Sequence, residues 1–225
     1  MARVLVACEF SGIVRDAFRA QGHFAVSCDL IESERPGPHL QGNVLDFLGP
    51  FYGWDIMLAF PPCTYLCSSG LHWNARRPER AALTEDALKF VQALLDAPIA
   101  KIALENPIGC ISTRIRRPDQ IIQPYEFGEN ASKQTCLWLK GLPKLEPTYF
   151  FPPVFVCRSC KYEVPGNQTI RGYCPACGTG RLRPLWGNQT PSGQNKLGPS
   201  PTRSADRART YQGVANAMAA QWGVL

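Results

Sequence analysis

Two cysteine pairs, Cys157-x2-Cys160 and Cys174-x2-Cys177 with 13 residues between them, constrain this chain more than any other feature. Each pair has the spacing of a metal-binding hairpin, and together they offer four thiolates to one tetrahedral ion. A segment this short has too little apolar surface to hold itself together, so the staple is what lets it fold. Four thiolates leave no open coordination position, so the expected ion is a structural Zn2+ on Cys157, Cys160, Cys174 and Cys177, with no part in catalysis. The chain is expected to divide into a body over 1–150, a zinc ribbon over 151–186, a linker or polyanion-facing loop rich in Gly, Pro, Ser and Asn over 187–203, and a C-terminal helix over 204–225 that returns to the body.

The body reads as alternating strands and helices. "RVLVA" (3–7), "FAVSC" (24–28), "DIMLA" (55–59), "KIAL" (101–104) and "CLWL" (136–139) are short apolar runs, as strands buried on both faces of a parallel sheet require. Between the third and fourth, "TEDALKFVQALLDA" (84–97) places Leu88, Val91, Leu94 and Leu95 on one stripe, with Thr84 as the expected N-cap and Pro98 as the stop. The expected fold is α/β: a doubly wound, Rossmann-like sheet, with ligands at the carboxyl ends of its strands and a small four-cysteine zinc ribbon inserted.

Charge and cysteine usage narrow the setting. Residues 1–150 hold 15 Lys and Arg against 16 Asp and Glu, whereas 151–225 hold 9 against 2. The positive excess of the last third is the balance of a segment that lies on a polyanion. No run of about 18 apolar residues marks a membrane span, and "MARVLVACEF" lacks the parts of a secretion signal. The expectation is a soluble cytoplasmic protein, with no membrane association and no obligate protein partner. In that setting Cys8, Cys28, Cys110 and Cys136, beside apolar strands, are expected to be core thiols.

Each strand is followed by chemistry. After the first come Phe10, Ser11 and Gly12, where small residues let a ligand approach the opening of a helix. After the second comes Asp29, where such folds hold a ribose diol. After the third comes "AFPPCTYLCSSG" (59–70), and after the fourth "ENP" (105–107). The order Asp55, Ile56, Ala59, Pro62, Cys63, Ser69, Gly70 and then Glu105, Asn106 resembles the DNA (cytosine-5) methyltransferase family, and "TYQGVANAMAAQW" is similar to that family's last motif, with Asn216 at the matching position.

This resemblance, in its compact phage-like form, implies an S-adenosylmethionine-dependent enzyme that methylates C5 of a flipped cytosine in double-stranded DNA, within a short sequence context. It implies Cys63 as nucleophile, Glu105 as acid with Asn106 beside it, and a cofactor site of Phe10, Ser11, Gly12, Asp29, Asn43, Pro61 and Asn216. The chain departs from the pattern in three places. Asn43 stands in "GNV" where the family has an acid. Lys133 and Thr135 stand where it has two arginines, so Arg114 and Arg116 enter as alternative holders of the base or its phosphates. The large recognition domain is absent, and the ribbon is expected to dock DNA through Arg158, Lys161, Arg171, Arg181 and Arg183. Cytosine-5 methylation of RNA or single strands, and a non-catalytic nucleic-acid-binding ribbon protein, are the alternative readings.

Overall fold

The computed structural model describes residues 1–166 and 173–224. In chain order the first unit holds β1 (Arg3–Ala7), α1 (Ile13–Ala20), β2 (Phe24–Asp29), β3 (His39–Gln41), β4 (Ile56–Ala59), α2 (Ser68–Leu71), α3 (Pro78–Leu95), β5 (Lys101–Pro107), α4 (Ile111–Arg114), β6 (Gln120–Ile122) and β7 (Thr135–Lys140). The second holds β8 (Val154–Cys157), β9 (Glu163–Pro165) and β10 (Leu182–Leu185). The chain ends in α5 (Arg203–Ala208) and α6 (Gln212–Trp222). The first unit comprises Met1–Ile122, Gln134–Glu146 and Ala208–Leu225; the second comprises Gln123–Lys133 and Pro147–Arg207.

The first unit is the expected doubly wound α/β sheet, seven strands in the order β3-β2-β1-β4-β5-β7-β6. The apolar runs form its middle because only a strand covered on both faces can bury every side chain, as β1 does from Val4 to Ala7 and β4 throughout. One expectation is corrected. The run at 136–139 is a strand, but β7 lies antiparallel to β5 and β6, so the sheet is mixed. An apolar run carries no direction, which the connection alone decides.

Two helix expectations are also corrected. α3 begins at Pro78, six residues before Thr84, because proline at a helix's first position costs no hydrogen bond. Thr84 is inside the helix, its hydroxyl donating back to the Tyr65 carbonyl at 3.1 Å. The C-terminal segment forms two helices, interrupted by an extended Tyr211. α6 packs on α1 through small residues and Met218, and Trp222 is fully buried.

In the second unit the three strands pair in the order β10-β8-β9. The start of the 187–203 segment is fastened within its own unit. The Gly187 amide donates to Asn130 Oδ1 at 2.6 Å, Asn188 and Ser132 bond reciprocally, and Trp186 stacks on Tyr125 at 4.2 Å between ring centres.

Candidate active site

The sheet order reverses between β1 and β4, and a crevice opens at the carboxyl ends of strands about such a point. Because β1, β2, β4 and β5 run parallel, the residues at or just after their carboxyl ends share one edge: Glu9–Gly12, Asp29, Pro61–Cys63 and Glu105–Asn106. Antiparallel β7 delivers its first residue, Thr135, to the same edge, opposite Pro107. The fold thus collects every strand-end residue that the sequence singles out.

Cys63 is half-buried and starts a helical turn, its carbonyl accepting from the Leu66 and Cys67 amides at 3.0 Å each. Asn106 holds the preceding residues. Its Nδ2 donates to the Pro61 carbonyl at 2.7 Å across a separation of 45 residues, joining the ends of β4 and β5. Asn106 Oδ1 is buried with no partner among the described residues, a cost the site sustains. Glu105 is half-buried, and Thr135 Oγ1 donates to its Oε1 at 2.9 Å. Cys136 beside them is buried, and burial together with the Glu105 charge raises its thiol. Cys67 Sγ lies 3.2 Å from Ser69 Oγ.

The turn after β1 differs from a bare ligand cradle. Gly12 takes φ 72°, a left-handed conformation suited to glycine, and Cys8 takes φ 58°. Between them Glu9, 4% exposed, turns its carboxylate onto the start of α1. Oε1 accepts from the Val14 amide at 2.6 Å and from Ser11 Oγ at 3.2 Å, and Oε2 accepts from the Arg15 amide at 3.3 Å. The first helical amides are therefore filled from within, and burial pushes the Glu9 carboxyl upward. No sequence signal separated Glu9 from the small residues that follow it.

Asp29 Oδ1 accepts from the Ile31 amide at 3.3 Å, and desolvation raises its carboxyl. Asn43 Oδ1 caps the short turn at 44–47, accepting from the Leu45 amide at 3.1 Å. An amide oxygen has two lone pairs, so one remains to be shared. Asn216 lies on the exposed side of α6 and accepts from Gln212 Nε2 at 2.9 Å. Pro61 is buried, Phe10 half-buried, and the Arg209 guanidinium sits 6.0 Å from the Phe10 ring.

Several basic residues singled out from the sequence serve their own unit. Arg114 pairs with Glu85 at 2.9 Å, and that bond raises the guanidinium further. Arg116 bonds Asp119 at 2.7 Å and the Leu139 carbonyl at 2.9 Å. Within the second unit, Lys133 Nζ donates to the Arg207 carbonyl at 3.0 Å. Arg183 donates to the carbonyls of Thr190 and Pro191. Arg158, Lys161 and Arg181 are exposed on the ribbon, whereas Arg171 lies outside the described residues.

The four ribbon thiols lie within 4.8 Å of one another, with Cys157 to Cys177 at 3.7 Å and Cys160 to Cys174 at 3.6 Å. A tetrahedron with Zn–S bonds of about 2.3 Å has edges of about 3.8 Å, so the donor set suits one zinc ion. Backbone amides point at the sulfurs: Ser159 and Cys160 at Cys157, and Gly180 at Cys177. The amides of Thr179 and Gly180 draw the Cys177 thiol down to about 6.

No family model matches the chain, and no curated protein matches it. Among solved structures, one described as a DNA modification methyltransferase encoded within a prophage of Escherichia coli is similar at a TM-score of 0.43 and 12% identity. The match covers 68% of this chain and 53% of that one, so the chain spans about half the length of that structure. A likeness at that level says nothing of what this chain acts on. No helix among the described residues is long and apolar enough to cross a membrane.

Proposed function

We propose that the chain is a DNA (cytosine-5) methyltransferase using S-adenosylmethionine. The observation that carries this reading is the Asn106–Pro61 bond, which ties the acid-bearing end of β5 to the cysteine-bearing end of β4. Carbon 5 of cytosine is too weak a nucleophile to attack a sulfonium methyl group unaided. In this reading the Cys63 thiolate would add to carbon 6, breaking the C5–C6 π bond and making carbon 5 enamine-like; once carbon 5 carries the methyl group, loss of its proton would re-form the double bond and expel Cys63, dividing one hard step into easier ones. Glu105, oriented by Thr135, delivers a proton toward N3 as charge builds on the ring. Asn106 acts by positioning, holding Pro61 while Cys63 forms and breaks its bond. The cytosine leaves the duplex to reach this edge.

Asp29 would hold the ribose diol, the remaining lone pair of Asn43 would accept from the adenine amino group, and Phe10, Ser11, Gly12, Pro61 and Asn216 would surround the rest of the cofactor. Bound there, the cofactor supplies an electrophilic methyl group. The ribbon, holding Zn2+ on its four thiolates, would contact DNA phosphates through Arg158, Lys161, Arg171 and Arg181. Incubation with labelled S-adenosylmethionine and either duplex DNA or RNA, followed by digestion to nucleosides, tests the reading. Label in 5-methyl-deoxycytidine, lost in Cys63→Ser, is the expected result; label in another nucleoside, or in none, refutes it.

A further inference from the structure

The stretch between Cys63 and α3 carries a cluster the proposed chemistry does not use. Trp73 is 41% exposed, and the guanidiniums of Arg77 and Arg76 lie 5.3 and 5.8 Å from its ring centre, with the His72 ring at 4.8 Å. Neither guanidinium has a carboxylate within ion-pair distance among the described residues. The acids that follow on α3 are engaged elsewhere, Glu85 with Arg114 and Asp86 with Lys89, leaving Glu79 as the one carboxylate between residues 72 and 80.

This platform is held firmly. Arg80 donates to the Thr64 carbonyl at 2.7 Å and the Gly70 carbonyl at 3.2 Å, and its guanidinium lies 4.9 Å from the Tyr65 ring centre. Asn74, next to Trp73, donates to Thr84 Oγ1 at 2.9 Å. An indole left in water beside two cations without carboxylates is matched by a ligand that brings both negative charge and a flat face. A nucleic-acid strand is such a ligand: phosphates for the guanidiniums and an unpaired base for the ring. Arg80's bond to the Thr64 carbonyl ties the start of α3, just after the cluster, to the residue next to Cys63.

We propose that Trp73, Arg76 and Arg77 form a strand-binding site within the first unit, stacking an unpaired base on Trp73 and neutralising two phosphates. The proposal rests on the reading of the chain as a nucleic-acid methyltransferase, and makes a locally unpaired DNA strand its preferred ligand.

The test is equilibrium binding of a fluorescent single-stranded DNA oligonucleotide, and of the same sequence fully paired, to the full chain over a salt series. Arg76→Gln combined with Arg77→Gln should lower the slope of log affinity against log salt by about 1.4 on the single strand, about 0.7 per phosphate. Trp73→Ala should weaken single-strand binding by about tenfold or more without changing that slope, and Trp73→Phe should restore most of the loss. Arg19→Gln, an exposed arginine on α1, should leave the slope unchanged. A wild-type slope in the double variant, or wild-type affinity in Trp73→Ala, overturns the site. If the wild type binds and methylates DNA while these variants bind as it does, only this site is refuted; if it binds no nucleic acid at all, the proposed function falls with it.

Discussion

Replacing Arg15 by methionine tests how the proposed cofactor edge is supported. The Arg15 side chain is 0% exposed and fans its donors over a whole loop. Nη1 reaches Ser27 Oγ at 3.2 Å and Ser33 Oγ at 3.0 Å, Nη2 reaches the carbonyls of Arg35 at 3.2 Å and Pro36 at 3.1 Å, and Nε reaches Asp16 at 2.8 Å. Gly12 and Gly37 give it room, since a Cβ at Gly12 would lie 2.5 Å from Nη2 and one at Gly37 2.8 Å from Cζ. Methionine keeps the stem and removes every donor. Asp16 and the carbonyls of the exposed 35–36 turn regain water, and the cost of burying the guanidinium is recovered, so the five bonds must not be summed. What remains is the loss of one partner at fully buried Ser27, which keeps its bonds to His39 and Pro38, and the release of the loop, about 2 kcal/mol where an unmet buried polar group costs about 1–3. With a urea slope of about 2–3 kcal/mol/M, the midpoint should fall by about 1 M. S-adenosylmethionine affinity should fall with it, because Asp29 opens this loop. A midpoint within about 0.2 M of wild type, read by tryptophan fluorescence and circular dichroism, would show that the network adds nothing net.

Glu9, raised by burial, holds its proton to higher pH in the folded chain than in the unfolded one. Unfolding therefore releases a proton above the ordinary range near 4.5, and stability falls as pH rises through that window, by up to about 1.4 kcal/mol per unit. Urea midpoints of Glu9→Gln should lack that slope. Asn106→Ala should lower the single-turnover methylation rate by about 10-fold to 100-fold, as an unsatisfied buried acceptor costing about 1–3 kcal/mol implies, while leaving DNA affinity unchanged in a binding titration. A strong chelator should release about one zinc per chain in a colorimetric metal assay and broaden the amide NMR signals of the ribbon, and Cys174→Ser should do the same without chelator.

The unbroken apolar runs made the centre of the sheet legible, because strands buried on both faces need no partner to be identified. β3 and β6, each three residues long with polar members, leave no such trace. The direction of β7 was hidden because Cys136 to Leu139 would be equally apolar either way. The ribbon was legible from spacing alone, since four thiolates and one ion fix their own geometry. The candidate site at the strand edge was half legible. Cys63, Glu105 and Asn106 stood out by type and order, but the capping role of Glu9 and the span of Arg15 depend on groups up to 21 residues away. Arg116 read as an exposed basic group because sequence cannot show that Asp119 and the Leu139 carbonyl occupy it.

The first unit reclaims the chain after Ala208, and its last helix carries the fully buried Trp222. A fragment stopped at residue 150 would lack that helix and leave the apolar side of α1 bare, so it should be insoluble even though it keeps Cys63, Glu105 and Asn106. The second unit is thus no detachable tail, since it draws on Gln123–Lys133 as well as Pro147–Arg207. An engineer wishing to exchange it must rejoin the chain ahead of α6 and redesign 123–133 together with the replacement, because Asn130 and Ser132 lose their partners when Gly187 and Asn188 go.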